Sequence, residues 1–218
     1  MPKILVCTDL IRYPGGTTPL FPAALASIFQ LQWDGKVDHL LQNGGDTPNQ
    51  PLANCTLKRQ VARETALRGD YDALLFADHD MLLPPDALRR LWAANASIAY
   101  GLYVLRHARD GYRWSAAAQV DATRWRSVSE DTEQARAVWG QCAPVAGMGF
   151  GCTLIRRDVL EALPMRWYDH AGPDWALAVD ALAHGFAQVC DYGVLCGHMD
   201  SEQTFLPDLA QPGLFRVE

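Results

Sequence analysis

Two carboxylates separated by one residue are the side chains of this sequence best suited to chemistry. Asp78 and Asp80 follow Ala73–Ala77, a wholly apolar run typical of a strand covered on both faces. In open α/β sheets, ligands bind beyond the carboxyl ends of the strands. Carboxylates at this spacing can point the same way, and they repel each other unless a cation lies between them. The pair therefore predicts a magnesium or manganese site that can also bridge a diphosphate.

The elements around this pair decide whether that interpretation is reasonable. Strands are predicted at residues 3–7, 37–41, 73–77 and 97–103, with a helix ending near Gly69 and another opening at Pro84-Pro85-Asp86. Strands that alternate with helices indicate βαβ units, so we expect an α/β fold with a mainly parallel central sheet and flanking helices. The alternative for the pair is a solvated turn, since a D-x-D spacing also arises by chance.

The second half of the chain has a less regular pattern. Residues 111–120 and 136–156 are predicted to be strand-like, and residues 122–133 to form an exposed loop. Helices are predicted at 158–163 and 173–184, and short strands at 187–191 and 194–196. The helix at 173–184 has the clearest limits, because Pro173 suits its first position and Gly185 its end. With no linker in the sequence, we expect one domain.

The composition argues against several classes of protein. The formal net charge is −6 and no dense Lys/Arg tract occurs, which disfavours a nucleic-acid-binding face. No apolar run approaches the ~20 residues of a membrane span, and a signal peptide is not apparent. We therefore expect a cytoplasmic protein without a membrane span. The six cysteines form no C-x-x-C pair and are expected to be reduced and structural.

Five short motifs follow one another in order along the chain. They are Arg59-Gln60, Asp78-His79-Asp80, the glycine-rich stretch Gly147-Met148-Gly149-Phe150-Gly151, Gly172-Pro173-Asp174-Trp175 and Cys196-Gly197-His198. Together they resemble the nucleotide-sugar-dependent GT-A glycosyltransferases, in particular those of the family-2 type. The resemblance covers about residues 3 to 200, and it implies a GT-A fold.

That resemblance assigns a metal site. It implies that Asp80 binds a divalent ion with His198 as the second protein ligand, while Asp78 contacts the donor ribose or a metal-bound water. Imidazole ligation favours Mn²⁺, with Mg²⁺ as the alternative. The ion would act as a Lewis acid toward the departing nucleoside diphosphate. The alternative for His198 is a surface histidine after a strand.

Asp174 is the candidate general base, because a carboxylate at this helix start can accept a proton from an acceptor hydroxyl. Its alternative role is to interact favourably with the helix dipole. Related enzymes commonly carry two acids here, whereas this chain has Asp174 alone, with Asp169 as a possible substitute. Inverting and retaining mechanisms therefore both stay open.

The resemblance also suggests residues for each substrate. Thr8, Asp9 and Arg59 are expected to bind the donor, and Tyr13 is more simply explained by packing. On the acceptor side, Gly149 lets a ligand approach the backbone. Trp175 beside Asp174 is the favoured sugar-stacking residue, ahead of three further tryptophans: Trp114, Trp139 and Trp167.

The function implied is transfer of a sugar from a nucleotide-diphosphate-sugar, with UDP-sugar favoured, to a hydroxyl acceptor. Residues 1–105 would form the nucleotide-sugar-binding half and residues 106–218 the acceptor-side half of one GT-A catalytic domain. The acceptor stays open among a glycan, a protein, a small molecule and, as the least favoured class, a modified DNA base. Two alternatives remain: a sugar-1-phosphate nucleotidyltransferase, whose phosphate loop Gly15-Gly16-Thr17 faintly resembles, and a non-catalytic sugar- or nucleotide-binding module.

Overall fold

The computed structural model describes residues 1–10, 21–43, 50–107, 111–120, 124–168, 172–200 and 203–218. Its helices are α1 (Pro22–Phe29), α2 (Pro51–Arg68), α3 (Ala87–Ala93), α4 (Thr132–Val138), α5 (Arg157–Ala162) and α6 (Pro173–Ala183). Its strands are β1 (Lys3–Leu10), β2 (Lys36–Asn43), β3 (Ala73–Ala77), β4 (Met81–Leu82), β5 (Ile98–Leu102), β6 (Val104–His107), β7 (Gly111–Trp114), β8 (Ala117–Gln119), β9 (Trp125–Ser127), β10 (Cys142–Pro144), β11 (Cys152–Arg156), β12 (Gln188–Leu195), β13 (Gly197–Asp200), β14 (Gln203–Pro207) and β15 (Phe215–Val217).

Seven strands form the central sheet, in the order β10-β12-β5-β11-β3-β1-β2. Strands β1, β2, β3, β5 and β12 run in one direction, whereas β10 and β11 run in the other. The sheet is therefore mixed and mostly parallel, and helices pack on it, which confirms the α/β class expected from the sequence. Strands from both halves of the chain build this one sheet.

The apolar strand β3 is buried along its whole length, as its sequence predicts. Leu74 and Phe76 belong to the core on one face of the sheet, where α2, α5 and α6 pack. Leu75 belongs to the core on the other face, together with Ile28 of α1 and Leu88 of α3. An uninterrupted apolar run is what a strand covered on both sides requires.

Helix α2 ends before Gly69, as predicted, but it buries only some of its apolar residues. Leu57 and Val61 are 60% and 39% exposed, whereas Ala62 and Ala66 are buried. Arg59 lies on the buried side with these alanines. Burial of Arg59 is possible because acidic side chains compensate its charge, as described below.

The predictions for residues 122–156 are partly wrong. The expected exposed loop contains β9 and a 3₁₀ helix at Val128–Glu130, and the expected strand-like segment begins within α4. Side-chain hydrogen bonds form these short elements: Ser127 and Glu130 make a capping box, and Asp131 caps α4. The three alternating glycines before β11 lie in a loop rather than in a strand, with one isolated bridge at Gly147.

Helix α6 begins at Pro173 and is followed by Gly185, which has a φ of 76°, in agreement with the sequence prediction. The two short strands expected after it are one strand, β12, with an irregularity between Asp191 and Leu195. Smaller sheets lie beside the central one, in the orders β15-β14-β13-β4, β6-β7 and β8-β9.

Two further expectations concern the chain as a whole. All six cysteines are free thiols. Within the described ranges, no helix combines the length and apolar character needed to cross a bilayer.

Candidate active site

The carboxyl ends of parallel strands β1, β3, β5 and β12 meet at one edge of the central sheet. Asp9 lies near the end of β1, and Asp78 and Tyr103 follow β3 and β5. His198 lies on β13, shortly after β12 ends. The antiparallel strand β11 begins at this same edge, so the glycine-rich loop before it also arrives there. Topology alone therefore gathers most of the predicted site.

Asp80 and His198 face each other across the pairing of β4 with β13. His198 is in register with Met81, and its Nε2 lies 3.3 Å from Oδ2 of Asp80. Its Nδ1 lies 2.7 Å from the backbone carbonyl oxygen of Val104. The two side chains are only 14% and 13% exposed for Asp80 and His198, respectively. The structure thus brings together the two residues predicted to bind a metal.

The hydrogen bond to Val104 fixes the chemistry of this pair. A carbonyl oxygen can only accept, so Nδ1 of His198 carries the proton. In the neutral ring, Nε2 then presents a lone pair toward a carboxylate oxygen. That arrangement is favourable when the ring is doubly protonated or when a cation lies between the two atoms. A histidine held by a backbone carbonyl through its other nitrogen is also the usual form of a metal ligand.

The donor set fits an ion that keeps other ligands. Among the described residues, no group of three or more His, Cys, Asp or Glu side chains is placed to hold a metal. Mg²⁺ and similar ions commonly use one or two carboxylates, with water and substrate phosphates completing the shell. The pair of Asp80 and His198 therefore fits Mn²⁺ or Mg²⁺ bound together with a phosphate-bearing ligand.

Arg59 lies between two of the carboxylates. Its Nη1 is 3.2 Å from Oδ2 of Asp9, and its Nη2 is 2.5 Å from Oδ1 of Asp78. Its Cζ lies 4.5 Å from the centre of the Phe76 ring and 5.5 Å from that of Phe150. The guanidinium is almost fully buried. It therefore compensates the charges of Asp9 and Asp78 from a position that is itself shielded from water.

The pKa values in this group follow from burial and charge. Burial opposes the charge of Arg59, but Asp9 and Asp78 outweigh it and raise its pKa well above the usual value. Burial raises the pKa of Asp9, and Arg59 partly offsets this increase.

Asp78 has one carboxylate oxygen bound to Arg59. Its predicted contact with the ribose or a metal-bound water would therefore use its other oxygen.

Buried polar atoms without a hydrogen-bond partner concentrate at this edge. Within the described ranges they belong to four residues: Thr8, Asp9, Arg59 and His79. Buried polar side chains normally have partners. Thr8 and Asp9 were predicted to bind the donor; the Thr8 hydroxyl has no hydrogen-bond partner, whereas Oδ2 of Asp9 is ion-paired with Nη1 of Arg59.

Asp174 occupies the first turn of α6, where its Oδ1 accepts a hydrogen bond from the backbone N–H of Trp175. Burial raises the pKa of its carboxyl group, and this hydrogen bond and the charge of Arg59 oppose the increase. A raised pKa brings a carboxylate closer to the range useful for proton transfer. Asp174 therefore has the position and basicity expected of a general base.

Tyr103 connects the two parts of the site, and it was not among the residues predicted from the sequence. Its ring lies edge-on to that of His198, with 5.8 Å between centroids. A Cβ added at Gly149 would lie 2.3 Å from the Tyr103 hydroxyl and 3.2 Å from Oδ2 of Asp174. Burial, reinforced by Asp78 and Asp174, raises the pKa of Tyr103 well above its usual value, so the hydroxyl stays protonated. Its position after a parallel strand is the signal that could have identified it.

A cavity of about 310 Å³ adjoins Asp174. Gly149 and Trp175, both predicted to lie on the acceptor side, line it, as do Trp125, Arg113 and Arg126. Trp125 was not among the residues predicted to form the site, because β9 was predicted to be part of a loop.

The other predicted tryptophans have different surroundings. Trp114 also borders the cavity, but it is buried and stacks on Trp139 at 5.4 Å between ring centroids. Trp167 is 48% exposed and does not line the cavity. Tyr13, Asp169 and the Gly15-Gly16-Thr17 loop lie outside the described residues.

Comparisons with known proteins bear on the fold alone. No protein-family model and no curated protein matches the sequence. Among solved structures, the crystal structure of A197 from STIV is similar, with a TM-score of 0.61 and 18% sequence identity. The match covers 96% of this chain and 92% of that one. The two proteins therefore share a fold over nearly their whole lengths.

Proposed function

We propose that this protein is a metal-dependent GT-A glycosyltransferase that transfers a sugar from a nucleotide-diphosphate-sugar to a hydroxyl acceptor. The observation that carries the proposal is the pair of Asp80 and His198, whose facing atoms are 3.3 Å apart at the carboxyl edge of the sheet. A carboxylate and an imidazole at this distance can share either a proton or a cation, and we propose the cation. Mn²⁺ is the favoured ion because of the imidazole ligand.

Residues beside this pair are suited to the donor. Thr8 and Arg59 carry buried polar atoms without a hydrogen-bond partner at the same edge, and Asp9 forms an ion pair with Arg59 there. Arg59 binds one carboxylate oxygen of Asp78, so that the second oxygen can accept a hydrogen bond from a ribose hydroxyl. A bound ion would supply Lewis-acid stabilisation of the nucleoside diphosphate as it leaves.

Asp174 serves the acceptor. Its carboxylate accepts the proton of the acceptor hydroxyl while that oxygen bonds to the anomeric carbon and the bond to the diphosphate breaks. The ring of Tyr103 contacts that of His198, and its hydroxyl lies beside Gly149 of the loop that also adjoins Asp174. One base in the role proposed for Asp174 is what a direct displacement requires.

Thermal unfolding with a panel of nucleoside diphosphates and nucleotide-sugars, each with and without Mn²⁺, tests the proposal. UDP or a UDP-sugar with Mn²⁺ should raise the Tm by roughly 5–10 °C at a hundredfold excess over its Kd. Asp80→Asn and His198→Ala should each remove the Mn²⁺-dependent part of that increase. Slow Mn²⁺-dependent hydrolysis of the same UDP-sugar should accompany binding.

Two variants serve as matched controls. Asp70→Asn changes a carboxylate that is 92% exposed, and His184→Ala removes an exposed histidine at the end of α6. Both should respond to the nucleotide as the unmodified protein does. The proposal fails if no member of the panel gives a metal-dependent shift. It also fails if the protein forms a nucleotide-sugar from a nucleoside triphosphate and a sugar phosphate.

A further inference from the structure

The cavity beside Asp174 has walls from several separate elements. Trp125 and Arg126 come from β9, Arg113 from β7, and Trp175 from the start of α6. The glycine-rich loop closes another side through Gly149. Its volume of about 310 Å³ is at the lower end of the range for small-ligand sites, so it has room for a group of about the size of one ring.

Two indoles form an aromatic corner in this cavity. The ring centroids of Trp125 and Trp175 are 4.8 Å apart, and their planes are inclined by 79°. Neither indole is fully buried. An occupant therefore meets the face of one indole and the edge of the other. Flat apolar faces of this kind suit ligands that have an apolar face of their own and polar groups at the rim.

The cavity is lined by two arginines and one carboxylate, Arg113, Arg126 and Asp174. Both arginines have acidic neighbours, since Arg126 is 2.9 Å from the carboxylate of Asp131 and Arg113 is 3.9 Å from that of Glu130. Their charges are thus partly compensated, which makes the lining less suited to a phosphate or another anion than two unpaired arginines would be. The same paired groups can both donate to and accept from hydroxyls.

We propose that this cavity binds a neutral pyranose, so that the acceptor is a carbohydrate whose ring lies against Trp125 and Trp175 with one hydroxyl at Asp174. This inference rests on the proposed function and names the substrate class of its acceptor side. A pyranose has an apolar ring face for the indoles and hydroxyls for the guanidinium–carboxylate pairs. A nucleic-acid acceptor could also stack on indoles, but its phosphates would meet two arginines that already have acidic partners and the carboxylate of Asp174.

Saturation-transfer NMR with methyl glycosides of glucose, galactose, mannose and N-acetylglucosamine tests the inference. At least one should receive saturation at its ring C–H protons, and it should shift the indole N–H signals of Trp125 and Trp175. Trp125→Ala should weaken this binding at least tenfold, whereas Trp125→Phe, which keeps a ring, should retain most of it. Trp167→Ala, which removes an exposed tryptophan outside the cavity, should leave it unchanged.

Three results would overturn the inference: no binding of any of the four glycosides, binding that Trp125→Ala does not weaken, or indole shifts produced by an octathymidylate instead of a glycoside. If Trp125→Ala does not fold, the indole shifts in the unmodified protein decide the matter. The donor assay separates the two proposals. An intact Mn²⁺-dependent nucleotide shift without glycoside binding removes only the acceptor assignment, whereas loss of the nucleotide shift removes the transferase itself.

Discussion

At the scale of single residues, the two aspartates of the D-x-D segment have different tasks. Asp78 is tied to the buried Arg59, whereas Asp80 faces His198. The intervening His79 is buried and separates them along the chain. The repulsion that the sequence suggests between these two carboxylates is therefore relieved in two ways, by a guanidinium for one and by the imidazole or an ion for the other.

Replacing Arg59 tests whether its guanidinium compensates the charges of Asp9 and Asp78. Arg59→Met should lower the free energy of unfolding by about 3–5 kcal/mol, because it leaves buried acidic groups without a counter-charge. Adding Asp9→Asn should restore part of this loss, since the two residues form an ion pair. Urea denaturation gives both values.

Arg68→Met is the matched control, because Arg68 is exposed near the end of the same helix. It should change the unfolding free energy by less than about 0.5 kcal/mol. A similar small change for Arg59→Met would contradict the assigned role of the buried guanidinium.

We expect Asp174 to support activity at the expense of stability. Burial raises the pKa of Asp174. Its neutral form therefore adds stability that is fully present below the usual pKa of an aspartate and is lost as the pH rises through the raised pKa. Above that raised pKa the folded protein contains a buried carboxylate that costs stability. Asp174→Asn should raise the Tm at pH 7, with a difference that shrinks toward pH 4, and it should reduce sugar transfer at least ~100-fold.

Asp158→Asn is the control for this pair of effects, since Asp158 is an exposed carboxylate in the first turn of α5. It should leave transfer unchanged and should not raise the Tm. A scan of transfer rate against pH should also fall in acid as Asp174 becomes protonated. Full activity of Asp174→Asn would show that another group takes the proton.

At the scale of elements, the glycine-rich loop sets the distance between Tyr103 and Asp174. A side chain at Gly149 would collide with the Tyr103 hydroxyl, which belongs to a buried ring that cannot move aside easily. We expect Gly149→Ala to reduce kcat at least tenfold while the chain still folds. Steady-state kinetics together with a thermal unfolding curve check this; wild-type kinetics in Gly149→Ala would mean that the loop tolerates a wider gap.

The elements also show how far the sequence leads. Strand β3 was predictable because its own sequence is an apolar run, and helix α6 because Pro173 marks its start and Gly185 its end. Helix α4 is seven residues long and depends on capping by Asp131, so periodicity carried little signal. The Ser127-x-x-Glu130 capping box was present in the sequence as a hint of that turn.

The residues of the candidate site divide in the same way, into those that the local sequence places and those that tertiary contacts place. Asp80 could be placed at a strand end from the sequence, but its partner depended on the resemblance, because the register of β13 against β4 is set by tertiary packing. Trp125 and Arg126 could not be placed, since β9 pairs only with the short strand β8 among the described strands. Residues whose position depends on one weak pairing leave no periodic pattern to read.

At the scale of the whole molecule, the proposed metal site borders the core. Met81, next to Asp80, and Tyr103, edge-on to His198, belong to the apolar cluster on one face of the sheet, which packs through apolar contacts. Removing metal with EDTA, in the absence of nucleotide, should therefore change the Tm by less than about 2 °C. A large decrease, measured by differential scanning calorimetry, would point instead to an ion that holds the fold together.

The hairpin of β8 and β9 has a consequence for how such a protein can diversify. It supplies Trp125 and Arg126 to the cavity, yet it lies outside the central sheet. Among the described residues it pairs with the glycine-rich loop between Ala117 and Gly147, and Trp125 packs on Trp175. On the proposed function, part of the acceptor contact would thus come from a stretch of chain that holds none of the proposed donor-binding residues, so replacing this hairpin is a way to vary the acceptor while the donor residues stay the same.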